Sequence, residues 1–484
     1  MILEDFIALL PLLVTALSSL VVLLLAAFHR DHGLVAVMTS LGLTVAFLTL
    51  SVSAGVAPRQ VTPLLLIDTY AIFYAGLILA ASLAVAILSY GYLTKQEGQH
   101  EEFYALLLFA TLGAMTLASA SHFASFFLGL ELLSVSLYVL IAYVRTDVRP
   151  LEAGIKYLIL SGTSSAFLLF GMALIYFQSG TMEFARTATL LAGSVEFSST
   201  FLVGLVMIIT GVGFKLAVVP FHMWAPDVYQ GAPAPVTAFV ATVSKGAMVA
   251  LLLRYFVEIA AFRSEMLWWA VAGIATLSMF GGNLLALLQS NIKRLLAYSS
   301  IAHLGYLLVA FLAAGPLAVE AVTFYLTAYF ITTLGAFGVV SVLSKPGDES
   351  EAMDDYRSLF WNRPWVAGVF TIMLLSLAGI PLTAGFIGKF YVIAAGVDSS
   401  LWVLVVLLVL NSVIGLFYYL RVIVVMAADG RRDVRPGENA QALPVSYADG
   451  LVLAALSGCL FWLGLYPAPL IRLVQAIQRG LMGS

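Results

Sequence analysis

Fourteen runs of about 20 mostly apolar residues, separated by short charged or Gly/Pro/Asn-rich interruptions, leave this 484-residue chain one economical way to fold. An α-helix rises roughly 1.5 Å per residue and the hydrocarbon layer of a bilayer is ~30 Å thick, so each run is long enough to cross as a helix. The runs lie near 6–28, 33–54, 66–90, 103–120, 122–144, 151–178, 200–224, 234–259, 267–288, 294–314, 318–343, 364–395, 401–428 and 448–477. Composition agrees, with 62% apolar and 10% charged residues, against roughly 25% charged in a soluble domain. A water-soluble globular domain, a basic nucleic-acid-binding face and a disordered chain are thereby excluded. The expected fold is an all-α polytopic membrane protein with 14 transmembrane helices. The start, Met1-Ile2-Leu3-Glu4-Asp5, lacks a positive leader region, so the first run is read as a retained helix rather than a signal peptide.

Basic residues stay on the cytoplasmic side of a membrane. The odd-numbered connections carry twelve of them: Arg30, Lys95, Arg145, Arg149, Lys293, Arg294, Lys345, Arg357, Arg363, Arg431, Arg432 and Arg435. The even-numbered connections and the two ends carry five. Both termini are therefore expected on the outer side, the periplasm for a bacterial inner membrane. The connection from Lys345 to Arg363 holds Asp348, Glu349, Glu351, Asp354 and Asp355 and reads as a solvated acidic face on the cytoplasmic side, also suited to a partner.

The single cysteine, Cys459, rules out an intrachain disulfide, a multi-thiolate zinc site and an iron–sulfur cluster ligated by this chain alone. Gly388-Lys389 is not a phosphate loop, because Thr383 stands where its first glycine belongs and Phe390 replaces Ser or Thr. Neither a metal nor a cofactor is expected in this chain.

Two runs contain proline at membrane depth, Pro220 in the seventh and Pro381 in the twelfth, the latter among three glycines. Proline removes an amide donor and clashes with the preceding turn, which predicts helix breaks at both places. Five spans separate them, and a shift by an odd number of spans reverses direction. Residues 103–259 (spans 4–8) and 260–428 (spans 9–13) can therefore be two five-helix repeats in inverted topology, each with a discontinuous helix, flanked by a three-helix segment 1–102 and a final helix within 429–484. Proline kinks also arise from packing alone, and spacing does not decide between the two.

The ionisable residues inside the spans are few. Glu131 sits nine residues into span 5, roughly 13 Å along the axis. A charge at that depth costs several kcal/mol by insertion scales and needs a partner, or the carboxyl stays protonated or serves as a structural hydrogen bond. Lys215 and Lys245 lie at similar depth in spans 7 and 8. Lys245 is eleven residues, or roughly 16 Å, inside its run, too deep to snorkel. Its ammonium is desolvated there and sensitive to a nearby carboxylate, the properties of a switchable proton carrier. Lys389, beside the second break, reads either as such a carrier or as a snorkelling lysine. Lys156 suits an interfacial or a relay role. His303 in span 10 and His222 after the first break can each donate and accept a proton near neutral pH, or be satisfied structural histidines. Asp227, Arg254 and Arg421 read as interfacial or structural charges.

The stretch 215–233, Lys-Leu-Ala-Val-Val-Pro-Phe-His-Met-Trp-Ala-Pro-Asp-Val-Tyr-Gln-Gly-Ala-Pro, resembles the signature of the antiporter-like subunits of respiratory complex I. Its Tyr-Gln-Gly-Ala-Pro ending resembles the subunit N branch of bacterial NADH–quinone oxidoreductase (NDH-1), equivalent to mitochondrial subunit 2. Leu128-Gly129-Leu130-Glu131-Leu132, the stretch from Asn291 to Tyr306, and that from Leu377 to Tyr391 carry the resemblance through nearly the whole chain. The resemblance implies a fourteen-helix inverted-repeat fold and a proton channel in the membrane arm. By position it makes Glu131 the span 5 glutamate, Lys215 the lysine paired with it, Lys245 the central lysine, His303 a relay histidine and Lys389 the lysine near the outer exit. The related subunit M typically has glutamate at the Lys389 position, and subunit L continues into further spans and a lateral helix, whereas this chain stops soon after span 14.

The resemblance also implies a translocase subunit of NADH:quinone oxidoreductase with no redox centre of its own. NADH, FMN, iron–sulfur clusters and quinone would be held by other parts of the complex, and subunits M and K would be neighbours. At an effective dielectric of about 20, opposite charges 4 Å apart attract by roughly 4 kcal/mol. Loosening Glu131 from Lys215 would change the proton affinity of Lys215, then of Lys245 and Lys389, with protons entering and leaving through gaps at Pro220 and Pro381. A cation/proton antiporter subunit using the same lysines, and a purely structural membrane-arm spacer, are the alternatives.

Overall fold

The structure, a computed structural model, describes residues 2–144, 147–192, 198–345, 349–428 and 445–482. Arg145, Arg431, Arg432 and Arg435 of the charge asymmetry and Asp348 of the acidic connection lie outside the described residues. Among the described residues, thirteen helices are long and apolar enough to cross a membrane. In chain order the fold runs α1 (Leu10–Phe28), α2 (His32–Ala54), α3 (Thr69–Leu93), α4 (Glu101–Ser119), α5 (Phe123–Ile141), α6 (Val148–Ser179) and α7 (Ser199–Leu216). It continues with α8 (Ala234–Glu258), α9 (Glu265–Leu287), α10 (Ile292–Leu312), α11 (Pro316–Leu343), the shorter apolar α12 (Pro364–Ala378), α13 (Trp402–Ala427) and α14 (Tyr447–Leu465). A two-stranded antiparallel ribbon, β1 (Arg59–Val61) with β2 (Leu65–Ile67), joins α2 to α3.

Polar residues at the ends of apolar runs set the boundaries. Asp31, Asp68, Asp147, Ser198 and Asn291 cap α2, α3, α6, α7 and α10, each accepting from an otherwise orphaned amide of the first turn. The apolar windows of α8 and α10 are buried throughout, while those of α1 and α14 are 28% buried, so α8 and α10 form the centre and α1 and α14 part of the outer rim. α9 and α10 approach closely at Gly282, where a Cβ would stand 2.6 Å from the Ala302 nitrogen. Small residues permit this approach inside a bilayer.

Both proline-containing runs are broken. α7 stops at Leu216, Ala217 takes a left-handed conformation (φ 58), and helix resumes only at Trp224–Gly231. α12 stops at Ala378, Gly379 takes φ 85, and helix resumes at Ala384–Asp398 behind the Thr383 cap. A third irregularity had no proline to announce it: Val240–Ser244 inside α8 is π-helical, immediately before Lys245.

Two expectations need correction. Run 448–477 is not one helix: α14 ends at Leu465, Tyr466 leaves the helical conformation (φ −133, ψ 69) before Pro467, and Ala468–Met482 forms a separate amphipathic helix. Proline biases its predecessor away from helical backbone, and Leu470, Val474, Ile477 and Leu481 then bury one face of the second helix. The acidic connection is only in part a solvated face: Asp354 stays exposed, whereas Glu349 and Glu351 turn inward. Glu351 accepts from Asn291 Nδ2 at 2.9 Å and Gln230 Nε2 at 3.2 Å, while Glu349 meets Lys293, Tyr92 and the Ala234 amide. The segment straps across the ends of α3, α8 and α10.

Candidate functional site

The first cluster of buried polar groups lies between α5, α6 and α7. Glu131 is partly buried, and its Oε1 accepts from Ser165 Oγ at 2.5 Å. Lys215, in the last turn of α7, donates to Ser134 Oγ at 2.7 Å and to Ser161 Oγ. Helix geometry explains the meeting: Glu131 and Ser134 are three apart on α5, Ser161 and Ser165 four apart on α6, and such pairs share a face. The Lys215 ammonium also stands at a helix C-terminus, where the backbone dipole favours a cation. Glu131 and Lys215 make no direct ion pair; hydroxyls stand between them. The ring of Tyr157 lies 5.6 Å from Lys215 Nζ.

Lys245 follows the π-turn of α8, a distortion frequent at functional sites because it re-aims the side chains beyond it. It is 1% exposed, donates to Ser300 Oγ at 2.7 Å, and lies 5.4 Å from the centre of the Tyr229 ring. Ser300 Oγ in turn contacts Tyr329 OH at 2.6 Å. The Tyr329 ring stands 5.8 Å from that of His303. His303 is buried, with Nδ1 at 2.6 Å from Tyr325 OH and Nε2 at 3.1 Å from Tyr419 OH.

Lys389 closes the series. Its ammonium donates to the carbonyls of Leu377 (3.0 Å) and Ala378 (2.9 Å) and to Ser412 Oγ (2.8 Å). Those carbonyls lack intrahelical partners because α12 ends there, so the broken helix supplies the acceptors that hold a buried cation. A small cavity lined by His303, Tyr325, Tyr329, Ser376 and Lys389 lies between the histidine and this lysine. Glu131 and Lys215 thus draw their hydrogen-bond partners from α5 and α6, while His303 and Lys389 line one cavity and Lys245 reaches toward it through Ser300 and Tyr329.

Two sequence-predicted residues stand apart. Lys156 is 42% exposed and pairs with Glu152 (2.8 Å) and Asp227 (2.9 Å); Asp227 also takes Arg294 at 2.8 Å. His222 is buried in the α7 break, its Nδ1 without a partner, and makes no hydrogen bond to the lysines. Pro220 and Pro381 both lie in the non-helical stretches.

Sequence reasoning missed the hydroxyls that connect the charges: Ser134, Ser161, Ser165, Ser300, Tyr325, Tyr329 and Tyr419. The signal available was hydroxyls four apart inside apolar runs, as in Ser161 with Ser165 and Tyr325 with Tyr329. Arg254 was read as interfacial or structural. It is fully buried, held in a bidentate pair by Asp68 at 2.8 and 2.9 Å. Arg421 ends α9 by donating to the carbonyls of Leu287 and Gln289.

The sequence model described as NADH:quinone oxidoreductase/Mrp antiporter, transmembrane, matches residues 120–415. The NADH-quinone oxidoreductase subunit N of Nitrosospira multiformis is 55% identical, over 99% of this chain and 97% of its own length. A chain of respiratory complex I from Thermus thermophilus superposes with a TM-score of 0.81 at 32% identity, covering 96% of this chain and 98% of its own. A chain of the Mrp complex from Dietzia sp. DQ12-45-1b has the same fold, with a TM-score of 0.87 at 20% identity, covering 100% of this chain and 98% of that one. A near full-length match at this identity, joined to the family pattern across both helix breaks, places the chain in the family of NADH-quinone oxidoreductase subunit N, the antiporter-like membrane subunits.

Proposed function

We propose that this proton-translocating, antiporter-like membrane-arm subunit carries protons along a line of buried groups running from Glu131 through Lys215, Lys245 and His303 to Lys389. The observation that carries the reading is the placement of each buried ammonium. Those of Lys215, Lys245 and Lys389 are held by hydroxyls or carbonyls rather than by a carboxylate, so their charges are not locked in a salt bridge. Tyr157 stands beside Lys215, and Ser300 with Tyr329 spans the interval from Lys245 to His303. Buried lysines in hydroxyl-lined surroundings can change protonation when a neighbouring charge moves. Quinone reduction elsewhere in the complex drives the change; NADH, flavin and iron–sulfur chemistry stay in other subunits.

In this reading α1–α14 are fourteen membrane segments, the twelfth completed by Ala384–Asp398. Residues 103–259 and 260–428 are two inverted five-helix repeats, with 1–102 and 429–484 flanking them. The two breaks, at the fourth helix of each repeat, support that division. His222 gates the first break, and Lys156 belongs to the cytoplasmic ion-pair layer rather than to the relay. Both termini lie on the periplasmic side of a bacterial inner membrane. Glu131 is only partly buried by this chain at a depth where a carboxylate facing lipid costs several kcal/mol. Its face therefore meets a neighbouring membrane-arm subunit, with M and K on the two sides.

Replacing Lys245 with alanine in the host, with assembly followed on a native gel, tests the relay. An assembled complex that pumps fewer protons per NADH oxidised in membrane vesicles supports it. Unchanged pumping removes Lys245 from the path and favours a structural spacer.

A further inference from the structure

Both ring nitrogens of His303 meet a tyrosine hydroxyl, and the two tyrosines come from different helices. Nδ1 lies 2.6 Å from Tyr325 OH on α11, and Nε2 lies 3.1 Å from Tyr419 OH on α13. The two sides are not equivalent. Tyr325 lines the small cavity that Lys389 also lines, whereas Tyr419 OH is hydrogen-bonded to Ser299 Oγ. Ser299 is four residues before His303 on α10, so Tyr419 bridges two positions on one helix face, a turn apart. Ser299 is also the immediate neighbour of Ser300, which holds Lys245.

A neutral imidazole donates through one nitrogen and accepts through the other, while a hydroxyl does both and can rotate to suit. The arrangement therefore has two self-consistent hydrogen-bond directions. With the proton on Nδ1, His303 donates to Tyr325, Tyr419 donates to Nε2, and Ser299 donates to Tyr419. With the proton on Nε2, His303 donates to Tyr419, Tyr419 donates to Ser299, and Tyr325 donates to Nδ1. Each direction satisfies every buried ring nitrogen, which an apolar interior demands.

We infer that Tyr419 and Ser299 are positioning residues for His303: their hydroxyl pair turns to match whichever ring nitrogen carries the proton, so that His303 stays fully hydrogen-bonded in both tautomers. The inference rests on the relay reading above and adds a part to it. A proton accepted at the free nitrogen makes an imidazolium, and release of one proton from the other nitrogen returns a neutral ring in the opposite tautomer. One proton has then crossed, and the ring cannot pass another the same way until its tautomer reverts. Rotation of the Tyr419 and Ser299 hydroxyls keeps both ring nitrogens hydrogen-bonded in either tautomer, while the reversion itself takes a further proton exchange between the ring and its neighbours.

The test compares Tyr419→Phe, Ser299→Ala and Ser299→Thr in the assembled complex, with assembly checked on a native gel and proton pumping measured in membrane vesicles. A hydroxyl role predicts that Tyr419→Phe and Ser299→Ala each lower the pumping rate by roughly threefold or more, while Ser299→Thr, which restores the hydroxyl, stays near the starting rate. A packing role predicts the opposite for the serine, since Ala fits the space and Thr adds a methyl group. Normal pumping in Ser299→Ala, or loss in both serine variants, overturns the inference. If Lys245→Ala impairs pumping while Tyr419→Phe and Ser299→Ala do not, the relay stands and the hydroxyl pair falls; if Lys245→Ala also pumps normally, both fall.

Discussion

Glu131 and Lys215 are joined through α6 rather than to each other: Ser165 serves the carboxylate and Ser161, one turn away, serves the ammonium. A direct pair would fix both charges. A hydroxyl-separated one leaves each group solvated by the protein while its attraction to the other still acts through a low-dielectric gap. Ser165→Ala is expected to leave Glu131 without its donor, and Ser161→Ala to remove an acceptor from Lys215 and from Tyr138, whose OH lies 2.8 Å from Ser161 Oγ. Each costs about 1–3 kcal/mol at the site, because a buried polar group loses its partner. Pumping per NADH in vesicles should fall in both single variants. The double variant should depart from additivity, as residues in one network do. Wild-type pumping in the double variant would show that these hydroxyls carry nothing.

The second break depends on one residue without a side chain. Gly379 has φ 85, and a Cβ there would lie 2.8 Å from Lys389 Cδ. Gly379→Ala is expected to incur a left-handed backbone penalty of about 1–2 kcal/mol and to displace the Lys389 stem from the α12 carbonyls. Assembly should survive and pumping should drop. Retention of pumping in this variant would mean that Lys389 works without its seat at the helix end.

The helical fold, the two interrupted runs and the presence of charged residues inside the apolar runs were legible in the sequence because each has a strong local signal. Long apolar runs, a proline in their midst and a lysine at membrane depth are each costly enough to stand out. What connects them was not legible. Ser161, Ser300 and Tyr329 are unremarked in an apolar helix until another helix sets a lysine or histidine beside them. The π-turn before Lys245 has no proline or glycine to mark it, and depends on how α8 packs among its neighbours. Tyr466-Pro467 was a visible stop, overlooked because the apolar pattern continues past it as one face of the amphipathic Ala468–Met482 helix.

Arg254 and Asp68 tie α8 to the start of α3, and Asp68 also caps α3 by accepting from the Ala71 amide at 2.8 Å. The Tyr70 ring covers the guanidinium at 4.8 Å. A fork of two parallel bonds over an aromatic face suits arginine and not lysine. Arg254→Lys is expected to lower the thermal stability of the assembled complex. Arg254→Leu should lower it further, by an amount on the order of 3–5 kcal/mol, because it leaves the Asp68 carboxylate buried and unpaired. Scanning fluorimetry of the purified complex orders the three proteins, and equal stability of wild type and Arg254→Lys would refute the bidentate role.

At the other side of the α2–α3 connection, Arg59 Nε donates to Asp5 Oδ1 at 2.6 Å and the Ile2 amide donates to Asp5 Oδ2 at 2.7 Å. The Arg59 bond first, and the Ile2 bond second, hold the Asp5 carboxyl below its ordinary value. A depressed acid contributes stability above its unfolded pKa and loses it as pH falls through the folded one. The protection of β1 and β2 amides, taken relative to the intrinsic exchange rate at each pH, should therefore be steady near neutral pH and fall only below about pH 4. Arg59→Ala should abolish that acid dependence, and an unchanged profile in the variant would assign it to another group.

The strap carboxylate Glu349 holds three elements at once. It accepts from Lys293, from Tyr92 and, at 3.0 Å, from the amide of Ala234, the first residue of α8, while Lys293 also donates to the Ala232 carbonyl at 2.7 Å. Lys293 is fully buried, so Glu349→Gln leaves its ammonium without a counter-charge, a loss on the order of 3–5 kcal/mol when one partner of a buried pair is removed. Glutamine still accepts from the Ala234 amide, so the damage should come from the charge and not from the cap. Lys293→Met combined with Glu349→Gln removes both charges and is expected to recover much of the stability. Hydrogen exchange at residues 230–240 and 290–296 reads the result: fast in Glu349→Gln, slower again in the double variant. If the double variant exchanges as fast as the single, the ion pair is incidental, and the strap is held by Glu351 and its bonds to Asn291 and Gln230 instead.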